Sequence, residues 1–89
     1  MILGEVLGSI WATQKEEGME HLKLLIVQPT DWNGKRLSHP IVAADRIGAG
    51  KGERVLISRG SPAKMILNKQ SPVDAVIVAI VDSFEVNEG

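Results

Sequence analysis

Apolar residues recur at every second position over several stretches of this chain, the period of a strand rather than of a helix. From Ile2 to Thr13 one face would carry Ile2, Gly4, Val6, Gly8, Ile10 and Ala12, all small or apolar, against a mixed face of Leu3, Glu5, Leu7, Ser9, Trp11 and Thr13. Glycine weakens a strand unless the strand must bend or be closely approached, so Gly4 and Gly8 point to a coiled strand. His21 to Gln28 predicts a second strand with Leu22, Leu24 and Ile26 on one side and Lys23, Leu25 and Val27 on the other, ended by Pro29. Ile41 to Ala44 predicts a short third strand. Glu53 to Arg59 predicts a fourth, and Asp74 to Val86 a last strand that is apolar on both faces for most of its length and therefore buried. Between the last two strands, Ser61-Pro62 reads as a helix cap followed by proline at the first helical position. Ala63 to Leu67 then forms a short helix, with Asn68 as its left-handed terminator.

The connectors are polar. Gln14 to Glu20 turns at Gly18, Thr30 to Pro40 carries an Asn33-Gly34 turn, and Ser71-Pro72 precedes the last strand. With no βαβ alternation, repeat or internal linker, residues 1–89 read as one mainly β domain. Short antiparallel strands of this kind close into a small barrel, which also removes exposed edges. Apolar outer faces on the first, second and last strands then need a cover, and association of copies supplies one.

Composition strengthens that expectation. Of 89 residues 44% are hydrophobic, and only three are aromatic. A domain of this size hides roughly 60–65% of its unfolded surface when it folds alone, so part of this aliphatic content is expected between subunits. A formal net charge of −1 carries no basic footprint for nucleic acid. The absence of cysteine excludes disulfides and thiolate metal sites. No apolar run approaches the roughly 20 residues of a membrane helix, and Glu5 interrupts the first apolar run, which also argues against a signal peptide.

One stretch invites a chemical function. Asp45 to Ser61 places glycines at 48, 50, 52 and 60 around the fourth strand. A phosphate-binding loop of the Walker type needs a hydroxyl residue after its Gly-Lys pair, but Gly52 follows Gly50-Lys51, and Asp45 stands where the first glycine belongs. The dinucleotide fingerprint fails at Glu53, and a strand rather than a helix follows the loop. These glycines are read instead as a loop requiring positive φ and close backbone approach. His21 and His39 lack metal-ligand spacing. Ser58, Ser61 and Ser71 have no nucleophile elbow, and Asp45, Asp74 and Asp82 sit at strand ends, where backbone capping or surface solvation is the simpler role. Trp11 is expected to be packed and Trp32 exposed. No catalytic residue, metal site or cofactor is assigned.

Several segments together resemble the EutN/CcmL family of bacterial microcompartment vertex proteins. Gly4 to Lys15 is similar to its opening strand and turn, and Lys23 to Val27 to its second strand. Ala43 to Gly50 resembles its A-x-D-x-x-G-A-G loop, Val55 to Ser61 its fourth strand and Gly-Ser turn, and Ser71 to Ala75 with Ala79 to Asp82 its last strand. Pro62-Ala63-Lys64 departs from the family's small residues followed by arginine; lysine keeps the charge without the two-pronged donor geometry. The resemblance implies a small OB-like five-stranded β-barrel with one short helix between the last two strands. It further implies a homopentamer at the vertices of a polyhedral shell in the bacterial cytoplasm, partnered by hexameric shell proteins and doing no catalysis. The alternative is a free-standing OB-like oligonucleotide-binding module. In a ring, Asp45, Gly48, Ala49 and Gly50 are expected near the axis, where the glycines let neighbouring backbones approach. Arg59, Ser61 and Lys64 are expected at the subunit contact. A cation in the first turn of a helix opposes its dipole, so Lys64 is expected to be held by an acid of the next copy.

Overall fold

The computed structural model describes residues 1–11, 22–67 and 73–83, without the side chains of Lys64 and Met65. Its elements are β1 (Ile2–Ile10), β2 (Lys23–Pro29), β3 (Ile41–Asp45), β4 (Arg54–Arg59), α1 (Ser61–Leu67) and β5 (Ala75–Ile80). The strands close into a barrel in the order β1-β2-β3-β5-β4. The expected mainly β barrel, with one short helix before its last strand, is therefore the fold. The connector at Gln14 to Glu20, the start of a strand at His21, the Asn68 terminator, the Ser71-Pro72 turn and the Phe84 to Val86 end of the last strand lie outside the described residues.

The strands are not all antiparallel. β3 and β5 run parallel through Ala44↔Val76 and Asp45↔Ile77, while the other four neighbouring pairs are antiparallel. Alternating directions cannot close an odd number of strands, so one parallel pair is unavoidable in a barrel of five.

The barrel is filled by Val6, Leu25, Val27, Ala43, Ala49, Val55, Ile57, Ala75 and Ile77. Burying each of the larger of these side chains stabilises the fold by about 1.5–3 kcal/mol. A second cluster lies outside the barrel wall, where α1 covers Leu24, Ala44 and Val76 with its buried Ala63. Both faces of β2 and of the first half of β5 are thus apolar for a reason: one fills the barrel and the other carries the helix.

Two bulges reset the alternation. β1 pairs Val6 with Val27 and then Gly8 with Ile26, so Leu7 is an extra residue. Beyond it the faces exchange: Ile10, in phase with the inward Val6, packs instead on the outer cluster. β5 does the same in reverse, where Val78 is extra between Ile77 and Ala79, and Ile80 packs on the barrel interior. A bulge bends the strand as well as shifting it, and the coiling expected of β1 is located here.

Trp11 is not packed as expected; it is 94% exposed. It follows Ile10↔Leu24, the last pair of the β1–β2 ladder, so neither the sheet nor α1 reaches over it. No described helix is long and apolar enough to cross a membrane.

Candidate assembly site

The loop from β3 to β4 is organised by the residue that opens it. Asp45 ends β3 with its side chain fully covered, and its carboxylate accepts hydrogen bonds from the amides of Ile47 and Gly48 at 3.1 Å each and of Ala49 at 2.9 Å. Aspartate side chains bond readily to amides a few residues ahead, and three such bonds fold residues 46–49 into a tight curl around the carboxylate. Lys23, opposite Asp45 in the β2–β3 register, places its ammonium 3.6 Å from Oδ2. That ammonium is half exposed, and an ion pair of this kind contributes about 0–1 kcal/mol, so the amides rather than the lysine hold Asp45 in place.

The curl needs Gly48 and Gly52, both at φ 87, where a side chain strains the backbone. Ala49 between them turns inward and is buried in the barrel core. The far side of the loop is tied down separately. The amide of Gly50 donates to the Glu53 carboxylate at 2.6 Å, Gly52 donates to the Val6 carbonyl at 2.8 Å, and Val6 donates to the Glu53 carbonyl at 2.9 Å. The loop is thus stitched to β1 next to its bulge.

This geometry explains why the glycine run is no phosphate site. A phosphate loop offers several amides to an anion, whereas here the amides of residues 47–50 are filled by two carboxylates of the same chain and that of Gly52 by a carbonyl. What remains on the surface is Arg46, Ile47, Gly48, Lys51 and Gly52, all exposed.

The remaining candidates lie on the same wall. Arg59 closes β4 opposite Ala75 and is exposed; Ser61, also exposed, opens α1. Gly60 between them donates its amide to the Asp74 carbonyl at 2.7 Å, which fixes the turn into the helix. The side chain of Lys64 lies outside the described residues. Both the Asp45 loop and the β4–α1 turn border the first half of β5, because Val76 pairs with Ala44 on one side and Ser58 on the other. Two stretches far apart in sequence therefore form one surface.

Arg46, which the sequence did not single out, joins them. Its guanidinium donates to the carbonyl of Ile66 at 2.7 Å, satisfying a carbonyl in the last turn of α1. Glu53 was likewise missed as a loop tie; its place three residues after Gly50 was the available signal. Among the described residues no group of three or more histidines or acids is placed to hold a metal ion.

Comparison with known proteins places this arrangement. Residues 1–82 match the family model described as ethanolamine utilisation protein EutN/carboxysome. The chain is 46% identical to the carboxysome shell vertex protein CcmL of Nostoc sp., over 99% of this chain and 89% of that protein. It is 42% identical to the bacterial microcompartment shell vertex protein EutN of Salmonella typhimurium, over 92% of this chain and 84% of that one. The solved structure of GrpN, a pentameric microcompartment shell protein from Rhodospirillum rubrum, superposes with a TM-score of 0.87 at 37% identity, covering 98% of this chain and all of that one. This chain belongs to the EutN/CcmL family.

Proposed function

We propose that this chain is a structural, non-catalytic component of a bacterial microcompartment shell, and that five copies close into a ring that caps a vertex. Its partners are further copies of itself and the hexameric tiles of the shell, in the bacterial cytoplasm. The observation that carries the proposal is the agreement between a family match over nearly the whole chain and an outer surface suited to association. On that surface Val42, Ile47 and Ile66 are each nearly half exposed. The oligonucleotide-binding alternative is set aside: the relatives are named as shell proteins, and a net charge of −1 offers little of the counterion release that drives such binding.

Within the ring, residues 45–52 are assigned to the neighbourhood of the axis, and the surface bearing Arg59, Ser61 and Lys64 to the contact between copies. Gly50 is the position that tests the first assignment. It has no positive φ, and a Cβ built there meets only the flexible Glu53 carboxylate, at 3.3 Å, so a single chain accommodates a side chain at this point. Gly50→Val is therefore expected to keep the fold and lower the fraction of assembled ring in native mass spectrometry. A ring as abundant as that of the wild type would remove residue 50 from the contact. Gly48→Val is a poorer probe, because its φ alone strains the chain.

The role itself is tested by co-assembly. A hexameric shell protein expressed with this chain is expected to close into polyhedra, and without it to grow as open sheets or tubes.

A further inference from the structure

Among the described residues, two outward grooves lie on different walls of the barrel. One, of about 630 Å³, lies over β1 and β4; Leu3, Trp32, Leu56 and Val81 line it, with Asp82 at its end. The other, of about 400 Å³, follows the β3–β5 seam beside the end of α1; Ile47, Ile66, Val76 and Val78 line it, with Arg46 at its rim. Both are mainly apolar, and they differ in sign: the first has an acid and no base in its lining, the second a base and no acid.

A ring with more than two identical members joins two different patches of the chain, each copy offering one and receiving the other. Two apolar grooves of opposite charge on separate walls meet that requirement. Resting on the five-membered ring described above, we propose that the Arg46 groove of one copy packs against the Asp82 groove of the next, with Arg46 and Asp82 paired across the contact. Arg46 is already positioned for this. One guanidinium N–H is anchored to the Ile66 carbonyl, and the group has five donors, so others remain to meet a carboxylate. Asp82 is exposed and makes no ion pair among the described residues. The contact would also cover Ile47 and Ile66, which are 48% and 44% exposed.

Exchange of charge tests the pairing. Arg46→Asp and Asp82→Arg each set like charges against one another at every contact, and each is expected to raise the concentration at which the ring dissociates by roughly tenfold or more. Both substitutions in one chain restore opposite charges at every contact and should recover the ring. Mixing the two single variants recovers less, because a ring of five cannot alternate two kinds of chain without one like-charged contact. Native mass spectrometry reads every case. Asp82→Arg breaks no hydrogen bond described within the chain, so it remains informative even if Arg46→Asp loosens α1. Single variants that assemble like the wild type, or a double variant no better than the weaker single one, would overturn the pairing and leave the pentamer standing. A wild-type chain that stays monomeric would overturn the pentamer and the pairing together.

Discussion

Asp45→Ala is expected to lower the free energy of unfolding by about 3 kcal/mol, among the largest effects of any single polar substitution in this chain. The loss comes from the amides rather than from the ion pair. Removing the carboxylate leaves the Ile47, Gly48 and Ala49 N–H groups without their acceptor, and the bond to Ala49 is buried. A buried amide without a partner costs about 1–3 kcal/mol, whereas water can reach the two partly buried ones. Asp45→Asn keeps one acceptor oxygen and should cost about half as much. Lys23→Ala removes only the half-exposed ammonium and should cost less than about 1 kcal/mol. Denaturant titration at one fixed protein concentration makes the comparison, because assembly adds to apparent stability. Equal losses for Lys23→Ala and Asp45→Ala would show that the ion pair, not the amide cradle, holds the loop.

Gly4→Val should be as damaging for a steric reason. A Cβ on Gly4 would lie 2.6 Å from Val27 Cγ1 and 2.9 Å from the carbonyl oxygen of Gln28. The valine methyl can rotate away, but the carbonyl belongs to β2 beside the Gly4↔Pro29 and Glu5↔Gln28 pairs, and it moves only if the strands separate. Overpacking of this sort costs about 1–3 kcal/mol, and the β-branched side chain adds a second methyl to place. Gly8→Ala is the control on the same strand. Nothing lies within 4 Å of its Cβ and its φ is not positive, so it should be neutral or stabilising by about 0.4–1 kcal/mol. A Gly4→Val chain that melts with the Gly8→Ala chain would contradict the close approach of β1 to β2.

Gly4 and Gly8 also show what a sequence can and cannot reveal. Alternation located the first four strands to within a few residues, because a barrel buries one side chain in two and period two is legible in one dimension. The same signal overran the last strand, which ends at Ile80 and does not continue through Val81 to Ser83. It could not tell which glycine is pressed against a neighbour and which flanks a bulge. Ile10 was grouped with the inward Val6 for the same reason. An extra residue at Leu7 or Val78 leaves no mark in composition and is defined only by the strand it fails to pair with. The parallel β3–β5 pair follows from closing five strands, a property of the whole barrel rather than of any segment. Trp11 looked like core by its chemistry, yet lies just past the end of the β1–β2 ladder.

The candidate site was legible in part. Motif geometry excluded a phosphate loop at Gly48 to Gly52, and the position of Asp45 at a strand end left backbone capping or surface solvation, of which its covered carboxylate does the first. Arg46 was invisible because its partner is a backbone carbonyl 20 residues away, and no side-chain pattern encodes such a bond. The surface that joins the Asp45 loop to the β4–α1 turn emerges only when β5 is laid between them. Asp82, read as a strand-end aspartate, lies two residues past the end of β5 and lines an apolar groove.

A hexameric shell protein expressed with and without this chain, and imaged by electron microscopy, tests the central claim most directly. Closed polyhedra that contain this chain at their vertices, and open sheets or tubes in its absence, are the predicted result. Polyhedra that close equally well without it, or that exclude it when it is supplied, would contradict the claim.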